Sequence, residues 1–184
     1  MLAEHWRADV ERQFRKLKAL ADGAVAQVRE EDLFVTLDPE SNSIALVMKH
    51  LSGNMRSRWT DFFTTDGEKP DRNRDGEFEA KDEDSSVALR LRWEAGWDLL
   101  FGVLAGLRDG DLERTVTVRG EPHTVVQAMH RQVSHYAYHV GQIVLLAKHL
   151  AGPRWKSLSI PRGRSKEFEV AKDGSTYVPP PGRP

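Results

Sequence analysis

The stretch PHTVVQAMHRQVSHYAYHVGQIVLLAKHLAGP, residues 122–153, decides the fold of this chain. Apolar residues recur along it at steps of three and four, which is the spacing of one buried helix stripe. The stripe comprises Val125, Met129, Val133, Tyr136, Val140, Ile143 and Ala147. A proline is tolerated in a first helical turn, and a Gly-Pro pair ends a helix. The pattern therefore predicts a long helix from near Pro122 to Gly152.

Three further segments carry the same helical periodicity. One runs from Leu2 to about Val28. A second begins after the capping segment Ser41, Asn42 and Ser43 and extends to about Phe63. A third begins after Ser85 or Ser86 and ends near Gly110. Four amphipathic helices are buried together most simply in an all-α four-helix bundle. The pattern alone leaves open which helices are neighbours.

The connecting segments indicate one domain with an extension. Residues 64–84 are rich in Gly, Pro and Asp and predict a long loop, a length that is often functional. Residues 114–119 alternate polar with apolar and predict a short strand, too small to form a sheet. We assign residues 1–152 to the bundle. Residues 153–184, which end in VPPPGRP, are a proline-rich extension without its own core.

Composition excludes several classes of protein. The 184 residues contain no cysteine, so disulfides, thiolate metal sites and a cysteine nucleophile are excluded. The 27 Lys and Arg balance 28 Asp and Glu, which gives no electrostatic reason to expect nucleic acid or anionic lipid as a partner. The N-terminus lacks an apolar signal-peptide core, and no run of 18 apolar residues occurs. We therefore expect a cytoplasmic protein that does not bind membranes.

Three of the seven histidines are candidate metal ligands. His135 and His139 lie four residues apart on the fourth predicted helix, so both imidazoles reach a common ion. At about 100° per residue, His139 lies roughly 60° from the buried Tyr136, on the flank of the apolar stripe. His50 lies on the interior side of the second helix and is the best third ligand. Three of the remaining histidines, His123, His130 and His149, are predicted bystanders. His5 could approach the site from the first helix, but its spacing favours this no more than a solvent-facing role.

A site of three imidazoles from two helices predicts a metal ion with open coordination positions. Such openings are typical of catalytic or substrate-binding metals, since structural sites are closed by four protein ligands. Zinc, nickel, iron and copper all accept neutral imidazole, so the ligand types do not name the metal.

Three motifs carry a resemblance to a known family: SNSIALVMKHLSGNMRSRWTDFFTTDGEKPDRNRDGEFE (41–79), VRGEPHTV (118–125) and HYAYHVGQI (135–143). Over roughly residues 5–165 the chain resembles an uncharacterised branch of the DinB-like (YfiT-like) superfamily. The resemblance implies a four-helix bundle in which His50, His135 and His139 bind one divalent metal, typically zinc or nickel, with iron as an alternative. It also implies a homodimer, for which the five tryptophans would supply apolar area.

The resemblance leaves the activity of this branch open. Other branches include metal-dependent transferases that use bacillithiol, mycothiol or glutathione, and a maleylpyruvate isomerase. A thiol S-transferase is therefore one hypothesis, with a low-molecular-weight thiol or another small molecule as substrate. A metal-dependent hydrolase is a second, although residues 136–138 offer no carboxylate base. A non-catalytic metal-binding protein, with a stress-response or binding role, is a third.

Two groups of residues near the candidate ligands allow two interpretations each. Asn54 and Arg58 either cap or pair locally or line a substrate pocket. Asp75 and Glu77 in the long loop either belong to a surface turn or bond to a metal ligand from outside its coordination shell. For these individual loop carboxylates we favour the surface turn.

Overall fold

The computed structural model describes residues 2–81 and 84–171 and the backbone of residues 176–177. Four long helices dominate it, which confirms the predicted all-α class. They are α1 (Leu2–Val25), α2 (Ile44–Trp59), α3 (Ser86–Gly106) and α4 (Val125–Ala151). Short 3-10 turns occupy Glu31–Phe34, Asp75–Phe78, Asp109–Asp111, Gly152–Arg154 and Ser165–Glu167.

The four helices pack as a ring around one core. Helix α2 packs extensively against α3 and also against α4, and α1 packs extensively against α4. A smaller contact between α1 and α3 closes the ring, so α1 and α2 lie diagonally opposite. Each helix contributes large, fully buried side chains to the centre, among them Phe14, Met55, Trp97 and Tyr136. The α2–α4 contact is the one that joins the predicted ligands.

Helix α4 begins later than predicted. Pro122 lies in a strand, and the helix starts at Val125 with Thr124 as its N-cap. The Thr124 side chain accepts from the Gln127 N–H, and the Gln127 side chain accepts from the Thr124 N–H. This reciprocal capping box satisfies two backbone donors at the start of the helix.

The predicted strand does form a small sheet, contrary to our expectation. Strand β1 (Thr115–Val118) pairs antiparallel with β2 (Glu121–Thr124). Arg119 and Gly120 connect them with φ angles of 58° and 76°. Positive φ at both central residues is the geometry of a tight hairpin turn, and glycine adopts it at no steric cost. A second pair joins β3 (Glu169–Val170) to β4 (Thr176–Tyr177).

Helix α2 ends at Trp59, before the predicted Phe63. Asp61 has a φ of 48°, which is incompatible with a continuing helix.

The connection of residues 64–84 is hydrogen-bonded to the β1–β2 hairpin. The Gly67 N–H donates to the Thr117 carbonyl at 2.8 Å. The Asp66 carboxylate accepts from the backbone N–H groups of Arg119 and Gly120. These bonds fasten the start of the connection to the β1–β2 hairpin.

Helices α1 and α3 also end earlier than predicted. Helix α1 ends at Val25, three residues before the predicted Val28. Leu107 is extended, so α3 ends at Gly106, before the predicted Gly110. Within the described ranges, no helix is both long and apolar enough to cross a membrane.

Candidate metal centre

The structure brings His50, His135 and His139 together. One ring nitrogen from each can be chosen so that all three lie within 4.8 Å of one another. The Nε2 atoms of His50 and His135 are 3.3 Å apart. His50 comes from α2 and the other two come from successive turns of α4. The helical spacing and the packing of two helices together produce this convergence.

Hydrogen bonds on the far side of two rings set their tautomers. His50 Nδ1 donates to Glu77 Oε2 at 2.8 Å, and His139 Nδ1 donates to Gln142 Oε1 at 2.8 Å. An imidazole that carries its proton on Nδ1 has a lone pair on Nε2. Both Nε2 atoms are therefore available as ligands. Metal-binding histidines usually have such a partner on the second ring nitrogen.

Burial favours the neutral imidazoles that a metal requires. It lowers the pKa of His135 to about 3, and the neighbouring rings of His139 and His50 act in the same direction. Burial also lowers the pKa of His139, against the opposing effect of its bond to Gln142. A neutral ring can donate a lone pair, whereas a protonated ring cannot. At neutral pH His135 and His139 can therefore each offer a lone pair to a cation.

Glu77 is buried beside the cluster, so the surface-turn interpretation is wrong for this residue. Its carboxylate accepts two bonds from the Arg72 guanidinium, each 2.8 Å long, besides the bond from His50. Burial alone would raise the pKa of Glu77, but the bonds from His50 and Arg72 hold it below the ordinary value. Asp75, by contrast, is exposed.

A glycine in α2 makes room for this carboxylate. A β-carbon on Gly53 would overlap Glu77 Oε1. The 3-10 turn Asp75–Phe78 can therefore press against α2 only where the helix has no side chain. Phe78, from the same turn, stacks on His50 with the ring centroids 4.6 Å apart.

Asn54 and Arg58 lie on α2 beyond His50 and line the same cavity as the triad. Both are also bonded to other parts of the bundle. Asn54 Oδ1 accepts from the Tyr136 hydroxyl at 3.2 Å, and Arg58 pairs with Glu68 at 3.0 Å and donates to the Gly67 carbonyl. The two predicted pocket residues therefore help to hold the cavity wall in place.

The cavity beside the triad has a volume of about 480 Å³ and is partly open to solvent. Its wall includes all three histidines, buried Gln132 and half-buried Phe78. Five arginines also line it, and no Asp or Glu of the described chain does: Arg58, Arg72, Arg74, Arg119 and Arg131. A small molecule in this cavity would meet the histidines and a strongly cationic wall.

The other histidines lie away from the cluster. His5, His130 and His149 are exposed, and His130 Nε2 accepts from the Trp6 indole at 3.2 Å. His123 lies in β2, before α4 begins.

Two residues that contact the cluster or its neighbours, Gln142 and Arg72, were not predicted from the sequence. The spacing from His139 to Gln142 was a usable signal, since residues three apart on a helix are neighbours. Nothing in the loop pattern pointed to Arg72.

Fold and site together define a helical bundle in which histidines of two helices converge on an open cavity. Residues 1–164 match the model of a family described as "Protein of unknown function (DUF1572)". The chain belongs to this uncharacterised family. A search of curated proteins finds no significant match.

Proposed function

We propose that this protein is a DinB-like bundle that binds one divalent metal ion, zinc or nickel, through His50, His135 and His139. The donor set supports this, because three neutral imidazoles from two helices suit either ion. The bonds from Glu77 and Gln142 leave the Nε2 lone pairs of two ligands free. Without a cation, the Nε2 atoms of His50 and His135, 3.3 Å apart, would need a shared proton.

The proposed role is catalytic, and one observation carries this proposal: the triad lies on the wall of a cavity of about 480 Å³. Three protein ligands leave coordination positions for water or substrate. A cavity of this size accommodates a small molecule next to them. An ion that only fastened two helices would need no such space.

We propose a thiol S-transferase as the reaction class. A bound divalent ion supplies Lewis acidity that lowers the pKa of a thiol, so that the sulfur reacts as a thiolate. In the transfer, the sulfur forms a bond to an electrophilic carbon as the bond from that carbon to its leaving group breaks. The thiol proton passes to solvent or to the leaving group. The wall residues of this chain would orient the two reactants.

Hydrolysis has less support than transfer. A hydrolase of this type uses a carboxylate base beside the metal to take a proton from water. Glu77 is the nearest candidate, but its two oxygens accept from His50 and Arg72. Among the described residues, no Asp or Glu lines the cavity itself.

The test begins with metal analysis of protein purified without a His tag, followed by a screen of low-molecular-weight thiols against electrophiles. We expect about one ion per chain and metal-dependent consumption of thiol. His135→Ala should lose both while keeping most of its helicity, because the apolar stripes build the bundle. His149→Ala is the matched control, since His149 is exposed on the same helix. Protein with metal but without turnover would favour the non-catalytic role, and unchanged metal content in His135→Ala would exclude this site.

A further inference from the structure

The five arginines of the cavity wall differ in whether they have carboxylate partners. Three of them, Arg58, Arg72 and Arg119, share Glu68 and Glu77. Arg74 and Arg131 form no ion pair with any carboxylate in the described ranges. The wall therefore has more positive than negative charge, even before any cation is bound by the histidines.

Arg131 and Arg74 flank the triad from two different elements. Arg131 lies four residues before His135, so its side chain is one turn away on the same face of α4. Its Nη1 donates to His123 Nε2 at 3.4 Å. Arg74 precedes the 3-10 turn Asp75–Phe78, and its guanidinium carbon lies 5.4 Å from the centre of the Phe78 ring.

The Phe78 ring connects Arg74 to the histidines. One face of Phe78 stacks on His50, and the Arg74 guanidinium also packs on this ring. A guanidinium that stacks on an aromatic ring is partly ordered before a ligand arrives, so that less side-chain entropy is lost on binding. Its N–H donors stay available for an anion.

We propose that Arg74 and Arg131 bind the anionic oxygens of a small carboxylate or phosphate ligand in the triad cavity. The inference deepens the proposed function, because it assigns a charge class to the molecule that would share the cavity with the metal. Guanidinium groups form strong, charge-assisted hydrogen bonds with carboxylate and phosphate oxygens. The absence of Asp and Glu from the described cavity wall removes the groups that would repel such an anion.

The buried part of the wall adds hydrogen-bonding groups to this charge. Gln132 is 3% exposed, and its Oε1 has no hydrogen-bond partner among the described residues. A buried polar atom without a partner is costly, and a ligand donor would satisfy it. An anion that also carries a hydroxyl or amide N–H therefore fits this cavity better than a simple anion.

Calorimetric titration with three probes tests the inference: succinate, glycerol phosphate and the uncharged succinamide. Each is titrated into metal-free protein and, separately, into protein loaded with zinc, and metal content is measured on the same samples. We expect at least one anion to bind and succinamide not to bind. Inorganic phosphate, which like succinate has no alcohol hydroxyl, is titrated as well, and the tighter of these two identifies carboxylate or phosphate as the recognised group. Arg74→Gln and Arg131→Gln should each weaken anion binding about tenfold.

The matched control is Arg90→Gln, which removes the same charge from an exposed site on α3 outside the cavity. It should bind the anion as the wild type does. Equal weakening in Arg90→Gln and the two cavity variants would overturn the inference, because it would indicate only long-range electrostatics. Equal binding of succinamide would also overturn it. Loss of metal binding with intact, arginine-dependent anion binding would instead refute the proposed metal centre alone.

Discussion

At the scale of single residues, Glu77 connects the candidate ligands to the loop. Its carboxylate accepts from His50 and from Arg72, whose side chain is only 2% exposed. A buried ion pair of this kind contributes little net stability, but the loss of one partner leaves the other charge uncompensated. We expect the pair to act mainly by orienting the His50 ring.

Glu77→Gln should weaken metal binding by about tenfold to a hundredfold, which is the usual effect of removing such an outer partner. The variant should also melt at a lower temperature, because Arg72 loses its main charge partner. Metal affinity is measured by competition with a chelator under conditions where the variant is folded. Asp75→Asn, an exposed carboxylate of the same turn, is the control and should match the wild type. Unchanged affinity in Glu77→Gln would remove the orienting role.

The stability of metal-free protein should fall on acidification, starting near neutral pH. An unfolded histidine titrates near pH 6.5, whereas burial lowers the pKa of His135 to about 3. Between these values the unfolded state binds more protons, so the free energy of unfolding decreases as pH falls. After allowance for the partial exposure of the ring, we expect a loss of about 0.5 kcal/mol from pH 6.5 to 5.5.

Denaturant unfolding of the metal-free protein at a series of pH values measures this dependence. The interval above pH 5.5 is informative because carboxylates titrate mainly below it. His135→Gln should flatten the dependence there, whereas His149→Gln should not. A wild-type profile that is flat from pH 6.5 to 5.5 would contradict the burial of neutral imidazoles.

At the scale of elements, the 3-10 turn Asp75–Phe78 and helix α2 are complementary in shape. The turn places two side chains against His50. Glu77 accepts from His50 Nδ1, and Phe78 covers one face of the His50 ring. This contact needs a gap in the helix surface, which Gly53 provides.

Gly53→Ala tests that contact. Alanine normally stabilises a helix interior by about 0.5–1 kcal/mol relative to glycine. Here the added methyl would overlap the Glu77 carboxylate, so we expect lower stability and weaker metal binding. Gly102→Ala on α3 is the control, because no neighbouring atom lies within 4 Å of its added β-carbon. Thermal melts and metal affinity are compared for both variants. An equal gain in stability for the two would show that Glu77 moves aside without cost.

At the scale of the whole molecule, we still expect a homodimer, but three of the five tryptophans are too deeply buried to contribute to its interface. Trp59, Trp93 and Trp97 are at most 2% exposed and belong to the core. The exposed apolar side chains include Val87 and Leu91 of α3, which are 64% and 68% exposed. They lie four residues apart on one face, so they form a stripe that a second copy would cover.

Sedimentation equilibrium at micromolar protein should give a mass of about 42 kDa, twice the 20.9 kDa of one chain. Leu91→Glu should shift the mass toward the monomer, because it places a charge in the proposed interface. Leu145→Glu, on the exposed surface of α4, should leave the dimer intact. A wild-type mass near that of one chain would exclude the dimer.

The sequence by itself determined the helices and the spacing of the ligands. The apolar stripe of residues 122–153 and the four-residue step from His135 to His139 are local patterns, and the helical period converts them into faces. His50 could also be predicted, because it lies on the interior side of its own helix. The resemblance to DinB-like proteins pointed to the same three residues.

Only the tertiary structure decided what surrounds these ligands. Residues 64–84 have no period that would reveal which of their side chains are buried, so Glu77 was indistinguishable from the exposed Asp75. The burial of Glu77 results from the turn pressing on Gly53 and from its pairing with Arg72. The start of α4 was misplaced for a similar reason, since Pro122 pairs across a hairpin with Thr117. Contacts between segments distant in the chain decide such positions, and they leave no periodic trace in the sequence.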